Sequence, residues 1–134
     1  RYALELSAAE DAVKNMTDQG LERLRQIQAA QREDLSNYNV DEFIRHDREF
    51  HSCIYEMSLN RELMKLASNY YDVFRFLGMQ AVMGTEERRL TTIEEHQDIL
   101  EAMEQHNPKA AVQAMKKHME QTETNIRRHI KIAP

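Results

Sequence analysis

Ionisable side chains occupy inward positions of three predicted helices, where apolar residues would be expected. Asp47 and His51 are four residues apart, so they lie one turn apart on a single helical face. His96 falls within the apolar stripe of a second helix, and His118 falls within the stripe of a third. Burying these groups without partners is costly, and a divalent cation bound by all four would offset that cost. Three imidazole nitrogens and one carboxylate oxygen suit Zn first, and also Ni, Mn, Co or Fe.

The same spacings also have an interpretation without a metal. An Asp-x-x-x-His pair alone usually lies on a helix surface, and Glu42 with His46 has the same spacing on an outer face. A single inward histidine is more often a hydrogen-bonded core residue than a ligand. Spacing alone therefore leaves open both a metal site and a metal-free bundle with hydrogen-bonded histidines.

Signatures of well-known metal enzymes and phosphate-binding proteins are absent from the sequence. There is no Glu-x-x-His pair of the di-iron type, no His-Glu-x-x-His motif and no glycine-rich phosphate loop. A mononuclear metal hydrolase or oxygenase on a helical scaffold is the enzyme alternative, since a metal site could keep an open position. No general base is evident beside the candidate ligands, and we therefore expect that the chain is not an enzyme.

The elements that would position these side chains are all helices. Asn39 and Thr92 are each followed three residues later by a glutamate, which is the capping-box pattern of a helix start. Asn60 is a further candidate cap, and Pro108 suits the first position of a helix. Short connections favour antiparallel neighbours, so we predict an all-α antiparallel bundle of about six helices. The predicted helices span about 1–16, 18–36, 39–58, 60–84, 93–105 and 108–129.

Composition limits the class of protein and its compartment. The 134 residues fit one domain, 1–134, and 3 Gly and 2 Pro are too few for a many-stranded fold. The net charge of −5 argues against binding of a nucleic-acid backbone by this segment. No membrane span or signal peptide is evident, and the lone Cys53 indicates a reducing compartment, so we expect a cytoplasmic protein. The chain begins in helical register without Met, which we interpret as a fragment of a longer protein.

Four blocks in order resemble the C-terminal effector-binding (FCD) domain of FadR-type regulators in the GntR transcription-factor family. They are Arg1-Tyr-Ala-Leu-Glu5, Asp47-Arg-Glu-Phe-His51, Glu95-His96 with the residues that follow, and Met115-Lys-Lys-His118. The resemblance implies a central metal and effector cavity, with Asp47, His51, His96 and His118 as the ligands. It also implies a small carboxylate effector, a homodimer, and a preceding winged helix domain, missing from this chain, that binds operator DNA.

An anionic effector also agrees with the electrostatics of such a site. A divalent ion with one carboxylate and three neutral imidazoles retains about one positive charge in a low-dielectric core. An arginine could then hold the other oxygens of the acid. Arg75, in the predicted fourth helix, is the first candidate for this role, because the family tends to place an arginine there. Arg1, which matches the opening block, is the second. Sugar acids, lactate-like acids, dicarboxylates and fatty-acid derivatives all remain possible effectors.

Overall fold

The computed structural model describes residues 1–129, and over that range it contains seven α-helices and no strand. The all-α fold is therefore confirmed. None of the described helices combines the length and the apolar character needed to cross a membrane. The helices are α1 (Tyr2–Asn15), α2 (Asp18–Ser36), α3 (Val40–Met57), α4 (Arg61–Asn69), α5 (Tyr71–Val82), α6 (Glu86–Glu104) and α7 (Pro108–His129).

Side-chain caps begin three of the helices, α3, α4 and α7, where the sequence predicts helix starts. Asn39 accepts a hydrogen bond from the backbone N–H of Glu42 at 3.2 Å, and Asn60 accepts one from Leu63 at 3.1 Å. Asn107 does the same for α7, which starts with Pro108 in its first position. These short-range bonds satisfy backbone donors that have no partner inside the helix.

The predicted fourth helix is wrong as a single element, because it is interrupted at Tyr70. The backbone there has φ −104° and ψ 13°, so Tyr70 ends α4 and begins α5. Ser68 and Asn69 precede the break, and such side chains favour helix ends over interiors. The break makes α5 a separate helix, with Phe74 and Gly78 on its buried face.

The predicted start of the next helix, at about residue 93, is also wrong. The helix begins at Glu86, because the Thr85 hydroxyl accepts a hydrogen bond from the backbone N–H of Arg88 at 3.1 Å. Thr92 lies inside the helix and its hydroxyl donates to the Arg88 carbonyl at 2.9 Å. Glu95 therefore forms hydrogen bonds with side chains of the core, and not with the backbone at a helix start.

The helices pack in pairs around one main core. Helix α1 contacts α3 and α7, α2 contacts α3 and α6, and α6 contacts α7. Fully buried Ala8, Ala9 and Ala12 lie on α1, and small side chains allow close approach of neighbouring helices. The candidate ligands lie on α3, α6 and α7, and all three helices contribute buried residues to this core.

Candidate metal centre

Three imidazoles from three helices converge in the core. His51 of α3, His96 of α6 and His118 of α7 are at most 2% exposed. Each offers a ring nitrogen that lies within 4.8 Å of those of the other two. The Nε2 atoms of His51 and His118 are 3.3 Å apart. Residues separated by as many as 67 positions are thus brought to one point.

The opposite ring nitrogen of each histidine is held by an oxygen acceptor. Nδ1 of His51 lies 3.0 Å from Glu5, Nδ1 of His96 lies 2.9 Å from Gln31, and Nδ1 of His118 lies 2.7 Å from Glu95. A carboxylate or amide oxygen requires a donor, so Nδ1 carries the proton in each ring. The lone pair then resides on Nε2, and this is how metal-binding histidines are normally oriented by their outer partners.

The cluster fits a cation better than it fits a closed hydrogen-bond network. With the proton on Nδ1, the Nε2 lone pairs of His51 and His118 face each other, and Nε2 of His96 has no hydrogen-bond partner among the described residues. Burial lowers the pKa of His51 and of His96, which favours neutral imidazole. A stacked Phe50 ring, 4.0 Å between centroids, further fixes the orientation of His96. Neutral, oriented imidazoles with unused lone pairs are the donor set that a divalent metal binds.

Asp47 lies at the edge of the cluster. One of its oxygens is 3.4 Å from Nε2 of His96, but the group of side chains mutually within 4.8 Å contains only the three histidines among the described residues. Its other oxygen faces Gly78 of α5, where an added Cβ would lie only 3.2 Å away. A residue without a side chain at position 78 thus leaves room for this carboxylate.

Two buried carboxylates beside the histidines remain charged. Burial raises the pKa of Glu5, but His51, Arg1 and Arg48 more than offset this, so the pKa lies well below its usual value. Burial likewise opposes ionisation of Glu95, and hydrogen bonds from His118 and Arg88 reverse that effect and lower its pKa. Both side chains therefore act as acceptors for imidazole N–H groups.

Sequence reasoning missed these outer partners, although a signal was present. Glu5 and Gln31 lie on the apolar faces of α1 and α2, as the inward histidines do on theirs. Glu95 was assigned to a helix cap instead of the core. Glu5 and Gln31 could have been identified from the sequence, because each is a polar residue inside an apolar stripe.

The two candidate arginines differ in position. The Arg1 side chain is 9% exposed, and its Nε lies 3.2 Å from Glu5. Arg1 also borders a cavity of about 10 Å³ beside Asp47 and His118, which is room for about one water. Arg75 is exposed on α5, and no hydrogen bond or ion pair joins it to the cluster within residues 1–129.

The fold is that of a helical domain whose core contains three buried histidines that could hold a metal ion. The FCD domain model matches residues 1–121, and the chain belongs to this family. FCD domains of GntR regulators are ligand-sensing and regulatory, and they are not enzymes. FCD domains are also known to bind metals. No curated protein sequence matches the chain significantly.

Solved structures share this fold. E. coli McbR/YncC superimposes with a TM-score of 0.86 at 20% identity, over 97% of this chain and 65% of that one. Streptococcus agalactiae GntR gives a TM-score of 0.79 at 22% identity, over 92% of this chain and 55% of that one. The chain therefore spans somewhat more than half of the length of either structure, and at these identities the likeness shows the fold alone.

Proposed function

We propose that this chain is the effector-sensing domain of a GntR-family transcription regulator, and that His51, His96 and His118 hold a divalent metal with Asp47. The observation that carries the proposal is the arrangement of the imidazoles. Each Nδ1 faces an oxygen acceptor, and each ring offers a nitrogen that lies within 4.8 Å of those of the other two. A metal-free core would gain nothing from three lone pairs directed at one another.

Zinc is the first candidate for the metal, because neutral imidazole and carboxylate suit it, and Ni, Mn, Co and Fe accept the same donors. When bound, the ion would supply a positive charge and a position for an oxygen of an organic acid. Glu5, Gln31 and Glu95 fix the rings from outside, so the ligands are in place before the ion arrives.

The effector is proposed to be a small organic acid whose carboxylate is held by Arg1. We assign this role to Arg1 and not to Arg75, because Arg1 borders the cavity beside Asp47 and His118. A larger cavity of about 300 Å³ also includes Arg1, with Leu77, Met119 and Ile126 on its walls. An acid with a short apolar part would place its carboxylate at Arg1 and its remainder against these side chains.

The proposed regulation involves domains beyond this chain. An effector changes DNA affinity only if it binds two arrangements of the protein with different affinity. We propose that effector binding draws the metal-bearing helices together within a homodimer and repositions preceding winged helix domains on operator DNA.

The test is operator binding by the full-length regulator, with and without candidate acids, measured beside acid binding to the metal-loaded protein. The expected result is that an acid which binds the domain also changes operator affinity. Acids that bind at the metal while operator affinity stays constant would contradict the regulatory mechanism.

A metal enzyme is the alternative function, and turnover assays with esters and hydroxy acids would reveal it. No contact of the described residues specifically favours that alternative.

A further inference from the structure

Arg48 of α3 is a buried cation without a hydrogen bond. The residue is 6% exposed, and the hydrogen bonds of the described residues include none from its guanidinium. Its closest carboxylate oxygen belongs to Glu5, at 4.0 Å. That oxygen is also 3.2 Å from Nε of Arg1, and the second oxygen of Glu5 bonds His51. One carboxylate is thus shared by two guanidinium groups and an imidazole, so Arg48 remains poorly neutralised.

A groove between α3, α4 and α5 leads to this guanidinium. It has a volume of about 210 Å³, below the roughly 300–1,000 Å³ of pockets for drug-sized ligands. Tyr55, which is 4% exposed, also lines the groove, and its hydroxyl lies near the Glu5 carboxylate without a well-formed hydrogen bond to any described residue. Nε of Arg48 and the Tyr55 hydroxyl, neither of which makes a well-formed hydrogen bond, thus belong to side chains that line a cavity sized for a small molecule. An arginine keeps its charge in proteins, so the stronger of the two donors is cationic.

The residues that line the groove indicate which chemical group the rest of a bound ligand would carry. Tyr71 and Phe74 of α5 and Met64 of α4 contribute apolar surface, and the Tyr71 ring faces the Arg48 guanidinium at 5.9 Å. Glu56 also borders the groove, but its carboxylate pairs with Arg23. A planar group with one carboxylate would stack against the aromatic rings and neutralise Arg48.

We infer that this groove is a second ligand site, which takes a small aromatic or short aliphatic monocarboxylate through Arg48 and Tyr55. It is separate from the proposed metal and effector site, because the cavity beside Asp47 and His118 shares no lining residue with it. The two sites are nevertheless adjacent, since Glu5 contacts both Arg48 and His51. The inference does not depend on the metal.

The experiment is a titration of the metal-free chain with benzoate, monitored by calorimetry and by amide NMR shifts. We expect saturable binding, with the largest shifts at Ser52, Ser68 and Tyr71, which border the groove. Arg48→Gln should weaken binding by tenfold or more, because it removes a charge-assisted bond, and Tyr55→Phe should weaken it several-fold. Benzamide, the neutral analogue, should bind at least tenfold more weakly than benzoate.

A variant at the mouth of the groove covers the case in which Arg48→Gln does not fold. Ser68 is exposed, and Ser68→Trp would fill the groove and abolish binding with Arg48 intact. Arg61→Gln removes an exposed arginine from the same helix, α4, and should leave the benzoate affinity unchanged. The inference is overturned if benzoate does not bind. It is equally overturned if the shifts centre on Gly78 and Thr122, or if Tyr55→Phe and Ser68→Trp bind benzoate as well as the parent protein does.

Discussion

Glu5, in the first helix, lies 3.0 Å from Nδ1 of His51 in the third, 46 residues further along the chain. Both side chains are fully buried. The same carboxylate pairs with Arg1 and lies near Arg48, so a single residue joins the histidine cluster, the proposed effector arginine and the proposed groove. This relationship makes α1 part of the site although it carries none of the candidate metal ligands.

Replacing His118 by alanine should abolish stoichiometric zinc binding. The substitution removes one of three convergent imidazoles and leaves Glu95 without its imidazole donor. Because metal binding is coupled to folding, zinc should also raise the melting temperature of the parent protein and not that of the variant. Elemental analysis and thermal denaturation with added zinc would measure both effects.

His106→Asn is the matched control for that variant. His106 is exposed and has a φ of 53°, a conformation that asparagine tolerates. This control should retain full zinc content. Zinc content at the parent level in His118→Ala would remove His118 from the proposed ligand set.

Glu5→Gln should weaken zinc binding by about tenfold, and it should also lower the stability of the fold because Arg1 and Arg48 lose their carboxylate partner. Outer partners of metal-binding histidines contribute roughly 10–100-fold in affinity. Glutamine keeps an oxygen acceptor for Nδ1 of His51 but removes the negative charge beside it. The measurement is a competition titration with a zinc chelator. Glu10→Gln changes an exposed glutamate of the same helix and should have no effect, and equal affinities in the two variants would exclude this role of Glu5.

Gly78→Ala should reduce zinc affinity without destabilising the metal-free helix. The new Cβ would lie 3.2 Å from an Asp47 oxygen, so the carboxylate must move by a few tenths of an ångström. Alanine also favours a helix over glycine by about 1 kcal/mol, which opposes any loss of stability. Zinc titration and urea unfolding of the metal-free protein would separate the two effects.

Gly20→Ala is the control for Gly78→Ala, because Gly20 is also a helical glycine with a neighbouring side chain close to it. Its new Cβ would meet the flexible end of Met57 at 2.9 Å, away from the candidate ligands. Zinc affinity should therefore be unaffected by this change. Unchanged affinity in Gly78→Ala as well would argue against Asp47 as a ligand.

Arg88→Met should destabilise the protein by about 3–5 kcal/mol, because it leaves a buried carboxylate without its cation. Arg88 donates two hydrogen bonds to Glu95, at 2.9 and 3.0 Å, and the pair is less than 10% exposed. Arg127→Met breaks an exposed pair with Glu123 and should cost less than about 1 kcal/mol. Urea unfolding at neutral pH measures both losses, and similar values for the two variants would contradict the prediction.

Local sequence patterns predicted the helical class, several helix starts and the inward position of four candidate ligands. Asn39 and Asn60 cap their helices through bonds to residues three positions later. The stripe positions of His96 and His118 follow from the helical repeat, which depends only on neighbouring residues. These features could be predicted because the interactions that cause them are short in sequence.

The break at Tyr70 and the early start of α6 could not be predicted from the sequence pattern. The reason is that several residues of suitable type compete to begin or end a helix. Thr85 and Thr92 are both acceptable helix caps by type. Thr85 caps the helix, whereas Thr92 is buried and bonded to the backbone one turn earlier. Packing of α6 against α2 and α7 favours the longer helix, and a local motif carries no information about that packing.

The sequence by itself determined that carboxylate and imidazole groups would point into a helical core, because burial follows the periodicity of each helix. Tertiary structure alone decided which groups meet there. The bonds that orient His51, His96 and His118 span 46, 65 and 23 residues, so they exist only when α1, α2 and α6 are packed beside their partners. The same packing brought Arg1 to the cluster and left Arg75 in solvent. The physical reason is that a hydrogen bond is fixed by distance and angle in space, which helix periodicity does not specify.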